Sequence, residues 1–305
     1  MYRTILVPLD GSPLAERAIP FAEALSNSSG ARIVLLRAAT AHSTLRGDLA
    51  SEEARAVREA ETYLTEVVGR LAKPEAADPA TFYGDAADAI AEEVTLRNAD
   101  IIVMSTHGRS GLGRWVYGSV ADDVMRRAEV PVLLVPAATE RTWDVSGGLR
   151  ILVPLDGSVL AEEALRVATD LADATDAHLL LLRTVPPPYY AYADPYIYLA
   201  VDPEAEAVAA KEYLDEVARP LLAAGRKVET RSMIGEPAST ITSVAQEWKA
   251  DVIAMATHGS GGLTRLVMGS VATGVVQRSR VPILIVRPSV VAKTAETAAP
   301  SLKAG

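Results

Sequence analysis

Two short segments hold the residues able to do chemistry, and each occurs twice. The first, Val7-Pro8-Leu9-Asp10-Gly11-Ser12, recurs as Val153-Pro154-Leu155-Asp156-Gly157-Ser158. A strand that halts at proline, followed by Asp and Ser, sets a carboxylate and a hydroxyl at one edge, where either can cap the next helix. The second segment runs Ser105-Thr106-His107-Gly108-Arg109 and on through Tyr117 to Gly118-Ser119-Val120, with its counterpart at 256–271. Its glycines permit positive φ and let a bulky anion approach backbone N–H groups. Gly118-Ser119 opens an amphipathic stretch marked by Val120, Val124 and Arg127. The free N–H groups and positive dipole end of such a helix favour phosphate, and Ser119 adds a hydroxyl donor. Neither G-x-x-x-x-G-K-[ST] nor a G-x-G-x-x-G directly after the first strand is present, so a phosphate cradle here is of another kind. Glycine-rich loops also exist merely to turn the chain. The recurrence of loop, helix start and strand-end aspartate together favours a ligand.

His107 and His258 invite a catalytic reading, but each stands alone in its loop with no second His or Cys at metal-ligand spacing. Ser105, His107 and Asp10 as a triad would lack a nucleophile elbow and an oxyanion hole. A loop-structuring role is the expectation for both histidines, and no catalytic residue is assigned.

The elements that must position these segments follow from periodicity. Thr4–Pro8 and residues 32–37, 78–83, 100–105 and 130–135 read as strands, and several are apolar without alternation, as in parallel strands covered on both faces. Residues 12–26, 86–97 and 118–128 read as helices, and Val57, Ala60, Leu64, Val67 and Leu71 form the apolar stripe of another. The second half repeats the order, with strands at 150–154, 178–183, 228–233, 251–256 and 281–286. Strand–helix alternation predicts an α/β fold, a parallel sheet between helices joined by right-handed crossovers. Such sheets bind ligands at the carboxyl ends of their strands, where both segments end. A repeat of this length is a whole domain, not a solenoid unit. The expected division is a domain at 1–140, a linker, a domain at 149–289 and a disordered tail at 290–305. The second copy is five residues longer between Asp156 and Gly259 than the first between Asp10 and Gly108. The excess falls at 186–203, which carries Tyr189, Tyr190, Tyr192, Tyr196 and Tyr198. These rings serve either as a lid or contact surface, or simply to pack the longer loop.

Composition bounds the rest. The 305 residues are 49% hydrophobic with a net charge of −9, a balance unsuited to nucleic acid or an anionic membrane. The absence of cysteine excludes disulfides, thiolate nucleophiles and Cys-ligated metals. With no signal-peptide pattern and no apolar run long enough to span a bilayer, the chain reads as soluble and cytoplasmic.

The glycine pattern resembles that of the universal stress protein family in its tandem two-domain form. The family signature is G-x2-G-x9-G-[ST]; this chain has Ser105-x2-Gly108-x9-Gly118-Ser119 and Ala256-x2-Gly259-x9-Gly269-Ser270, with the V-P-L-D strand end and V-P-[VI]-L closing strand in both halves. The resemblance implies two doubly wound five-stranded parallel sheets, strand order 3-2-1-4-5, Rossmann-like and similar to the adenine nucleotide alpha hydrolases. It implies that they pack as an intramolecular pseudo-dimer through their fifth strands, and that tandem chains pair further as a homodimer. It also implies ATP as ligand, with Mg²⁺ held mainly by the phosphates and Asp10 or Asp156 as an outer contact. Pro8, Asp10, Ala38 and Met104 would line the adenine and ribose end; Ser105, Gly108, Gly118, Ser119 and Val120 would hold the phosphate end, with Arg109 adding charge. The matching positions are Pro154, Asp156, Thr184, Met255, Ala256, Gly259, Gly269, Ser270 and Val271. Ser105 and Ala256 replace the signature's first glycine, and Ser260 replaces Arg109, so the first site is expected to be the tighter. Arg114 and Arg265 match as well, and serve equally as solvated helix-flank charges. The implied role is a nucleotide-dependent regulatory protein of the stress response, with little or no turnover and with protein partners the sequence does not name. The alternatives are a nucleotide-free interaction module and an adenylyl or phosphoryl transfer enzyme, which would lack a base, a phosphate-binding lysine and an H-x-G-H motif.

Overall fold

The computed structural model describes residues 2–40, 49–106, 118–187, 202–257 and 268–287. The chain divides into two compact units with the main boundary in sequence at Gly147–Gly148, Arg280–Ile283 grouping with the first. In the first, β1 (Thr4–Pro8), β2 (Arg32–Ala39), β3 (Ala77–Tyr83), β4 (Ile101–Ser105) and β5 (Val132–Val135) lie in the order β3-β2-β1-β4-β5. Their pairings are parallel, with Ile5 opposite both Ile33 and Ile101, and Met104 opposite Leu134. The expected 3-2-1-4-5 order is therefore observed. In the second unit β6 (Arg150–Pro154), β7 (His178–Val185), β8 (Lys227–Ile234), β9 (Val252–Ala256) and β10 (Ile283–Val286) give β8-β7-β6-β9-β10, the same order by position. There β6 runs parallel to β7 and β9, and β7 to β8.

The central strands are buried because both faces are covered: Ile5, Leu6, Val7 and Ile101–Met104 are all at most 5% exposed. This is why their sequences run apolar without alternation. Helix α3 (Leu49–Arg70) lays the predicted stripe inward, with Ala60, Leu64 and Val67 buried. The first residues of the opening strands are held by an aspartate one strand away. Asp100 Oδ2 accepts from the N–H groups of Arg3 and Thr4 at 2.7 and 2.9 Å, and Asp251 Oδ2 from Arg150 N–H at 2.9 Å.

One expected element is corrected. The single helix read at 12–26 is two, α1 (Pro13–Glu16) and α2 (Ile19–Ser29). Pro20 has no N–H to give to the Glu16 carbonyl, and proline disfavours helical backbone at the residue before it. The second copy has Arg166 at this position, and α6 (Val159–Thr175) is continuous. The segment read as a linker is partly packed: Trp143 is buried, edge-on to Phe21 with ring centroids 5.4 Å apart. The remaining helices are α4 (Ala86–Leu96), α5 (Ser119–Arg127), α7 (Pro203–Ala223), α8 (Pro237–Glu247) and α9 (Ser270–Arg278). Among the described residues no helix is long and apolar enough to cross a membrane. The tyrosine cluster and residues 290–305 lie outside the described residues.

Candidate functional site

At the end of β1 the chain makes a tight acidic turn. Leu9 N–H donates to the Leu36 carbonyl at 2.8 Å, extending the β1–β2 ladder one residue past Pro8. Asp10 Oδ1 then accepts from Ser12 N–H at 2.9 Å, and Ser12 Oγ accepts from Ala15 N–H at 3.1 Å. Gly11 sits between them at φ +85°, which only glycine adopts without strain. Ser12 is thus the helix cap, while Asp10 shapes the turn and faces the sheet edge. The second copy repeats the turn: Asp156 Oδ1 accepts from Ser158 N–H at 3.0 Å, Ser158 Oγ from Ala161 N–H at 3.2 Å, and Gly157 has φ +84°.

At the end of β4, Thr106 N–H donates to the Val135 carbonyl at 3.0 Å and Gly118 N–H to the Thr106 carbonyl at 2.8 Å. The second bond clamps the start of α5 to the strand end. Thr257 N–H to the Val286 carbonyl (2.9 Å) and Gly269 N–H to the Thr257 carbonyl (2.8 Å) do the same for α9. Helices α4, α6, α7 and α8 are capped by the side chains of Asp85, Ser158, Asp202 and Glu236. Helices α5 and α9 begin at Gly118 and Gly269 with no side-chain cap. The first N–H groups of each, at Ser119–Ala121 and Ser270–Ala272, therefore lack both an intrahelical partner and a side-chain acceptor of this kind.

In the first unit these two features face one cavity of about 220 Å³. Of the residues singled out from sequence, Pro8, Asp10, Ala38, Met104, Ser105, Gly118, Ser119 and Val120 all line it. Gly108 and Arg109 lie outside the described residues, as do Gly259, Ser260, Arg114, Arg265 and both His107 and His258. Seven lining residues were missed: Leu9, Ala15, Leu36, Ala86, Ile90, Thr106 and Ala121. Leu36 was available from alternation with Ala38, since residues two apart on a strand share a face. Ala86 and Ile90, four apart in α4, form a wall that no motif announced. Its lining is mostly apolar, carries Asp10 as a carboxylate and includes the uncapped start of α5. In the second unit Pro154, Asp156, Thr184, Met255, Ala256, Gly269, Ser270 and Val271 fall at the matching ends of β6, β7, β9 and α9. Among the described residues no group of three His, Asp or Glu is placed to hold a metal ion.

Such a cavity has the features of a binding site. An apolar slot takes a flat base, a carboxylate meets sugar hydroxyls, and the helix start takes an anion.

Comparison with known proteins bears on family and fold. The profile described as "Universal stress protein family" matches residues 1–136 and 149–287. A universal stress protein of Mycobacterium tuberculosis is 29% identical over 199 residues, which is 63% of this chain and 63% of that protein. The match therefore spans just under two thirds of that relative's length. One of Methanocaldococcus jannaschii is 31% identical over 144 residues, 45% of this chain and 81% of that protein. Among solved structures, a universal stress protein from Archaeoglobus fulgidus covers 93% of this chain and 96% of its own, at 23% identity and a TM-score of 0.66, a likeness of fold.

Proposed function

The chain belongs to the universal stress protein family, and from that premise we propose that it binds ATP at the sheet edge of each unit and acts in the cytoplasm as a nucleotide-dependent regulator of protein partners in the stress response, with little or no turnover. In the first unit Pro8, Ala38 and Met104 hold the adenine end and Asp10 the ribose. Gly118, Ser119 and Val120 take the phosphates, joined by Ser105, Gly108 and Arg109. Pro154, Asp156, Thr184, Met255, Ala256, Gly259, Gly269, Ser270 and Val271 do the same in the second. A magnesium ion would be held mainly by the phosphates, with Asp10 or Asp156 as an outer contact.

The observation that carries this reading is the uncapped start of α5 lining a mostly apolar cavity that also bears Asp10. A helix start left open beside a pocket is matched to an anionic group on a ligand whose remainder is apolar. Binding regulates only if it favours one conformation or assembly over another, so the regulatory part requires two states of unequal affinity for ATP. A nucleotide-free interaction module is the second reading. It is favoured by Ser105 and Ala256, which put a β-carbon where the family signature has glycine.

Denaturing the purified protein and identifying what is released by mass spectrometry separates the two. The expected result is adenine nucleotide at about two equivalents per chain, falling to about one in Gly118→Glu, which sets a side chain and a like charge in the cradle. Absence of nucleotide under every loading condition would establish the second reading instead. Rapid turnover of ATP with a defined acceptor would make the protein an enzyme.

A further inference from the structure

Arg37 and Arg183 occupy matching positions in the two copies, one residue before Ala38 and Thr184. Neighbouring strand residues point to opposite faces, so each arginine stands on the far side of its strand from the cavity. Both guanidinium groups do the same thing there. The Arg37 Cζ lies 4.6 Å from the ring centroid of Tyr63 on α3, and the Arg183 Cζ 4.8 Å from that of Tyr213 on α7. Each ring passes the contact on through its hydroxyl. Tyr63 donates to Glu16 Oε1 at 2.9 Å, and Tyr213 to Glu162 Oε1 at 3.0 Å. Burial, then the glutamate partner, pushes both phenols well above their ordinary range, so each remains a neutral donor.

The two glutamates sit in the helix turn that directly follows the acidic turn, and Ala15, the residue before Glu16, lines the cavity. In the second unit the guanidinium also reaches the turn itself: a β-carbon built on Gly157 would lie 3.5 Å from Arg183 Nη1 and 3.6 Å from Nη2. Gly157 and Gly11 share the same left-handed backbone. The Asp156 charge is moreover among those acting on the Tyr213 hydroxyl. Each cluster thus links the end of the second strand of its unit, the long crossover helix and the helix after the acidic turn. These are elements whose relative placement sets where Asp10 and Asp156 point. A planar cation stacked on an aromatic face resists sliding in a way that a lysine at the same place would not.

We propose that Arg37–Tyr63–Glu16 and Arg183–Tyr213–Glu162 are positioning clusters that hold the acidic turns from behind and so aim Asp10 and Asp156 at the sugar of the bound nucleotide. Arg37, Tyr63 and Glu16 are not among the residues that line the first unit's cavity; on this proposal both clusters act through the turn and not on the ligand. The inference rests on the nucleotide reading above and adds to it the means by which the carboxylate is held.

The test is a double-mutant cycle run in both halves at once, with ATP affinity read by calorimetry. Four proteins are compared: the unaltered chain, Arg37→Met with Arg183→Met, Asp10→Asn with Asp156→Asn, and all four changes together. Each pair should weaken ATP about tenfold, and the fourfold variant should bind no more weakly than the aspartate pair alone, because the arginines have nothing left to aim. Amide exchange in peptides covering 8–13 and 154–159 should also quicken in the unliganded arginine variant. Tyr63→Phe with Tyr213→Phe removes one oxygen per half and should cost about threefold, which keeps the test available if the arginine variant does not fold. Losses that multiply in the fourfold variant would overturn the proposal, as would ATP binding unchanged in folded arginine or tyrosine variants. An unaltered chain that binds no ATP would overturn the nucleotide reading, and this inference with it.

Discussion

Ser105, like Ala256 in the second copy, stands where the family's signature has its first glycine. It is buried at the end of β4, opposite Val135, and lines the cavity. On the proposed nucleotide reading, a glycine there would let ligand and strand come closer than serine with its β-carbon does. Ser105→Gly should therefore tighten ATP in the first unit by about threefold while lowering stability by about 0.5–1 kcal/mol, as glycine loosens a strand. Calorimetry of Ser105→Gly in a Gly269→Glu background, which silences the second unit, reads the first effect; urea unfolding reads the second. Asp10 shows the opposite economy. One of its oxygens shapes the turn through Ser12 N–H, so a residue expected to face ligand is also bound into the fold.

Helix pairs beside the two sites are joined by different physics. In the first unit Arg127 of α5 pairs with Asp88 of α4 and with Asp123 on its own helix, and these groups are well exposed. Exposed pairs contribute little and are screened by salt. In the second unit Gly274 replaces Asp123, and a β-carbon there would lie 2.7 Å from the Ala238 β-carbon of α8. A close packing contact stands where the first copy has an acid. Gly274→Ala should accordingly destabilise, although alanine favours a helix by about 1 kcal/mol. Overpacking of a stub that cannot swing aside costs about 1–3 kcal/mol. Urea midpoints at unchanged m-value would measure the net loss; a gain in stability would mean that α9 backs away from α8 at little cost.

The molecule consists of one domain written twice, and each copy must start its first strand in register with the rest of its own sheet. In the second unit that start is set at Gly148, two residues before β6. Its φ is +77°, and a β-carbon there would overlap the Asp176 carbonyl oxygen at the end of α6. Gly148→Ala should cost about 1–3 kcal/mol from backbone strain and the forced shift together. The loss should appear in thermal or urea unfolding, and amide exchange should localise it to β6 and the end of α6. Equal protection throughout would show that the start of the second repeat is not held there.

Local rules carry far in this protein because much of it is local. Strands buried on both faces betray themselves as unbroken apolar runs, the acidic turn by Asp-Gly-Ser after proline, and the duplication by plain repetition. Pro8, Asp10, Ser105, Gly118, Ser119 and Val120, which lie in the two repeated segments, line one cavity, whereas Ala38 and Met104 came only with the family resemblance. The split of α1 from α2 was also within reach, since Pro20 carries its own reason. Other features depend on which side chains meet across the chain. Ala86 and Ile90 enter the cavity only because α4 crosses over it, and Tyr63 finds Glu16 across 47 residues of chain. Nothing in the spacing of such residues records their meeting. It is decided when sheet and helices pack, where shape and burial rather than neighbours in sequence choose the partners.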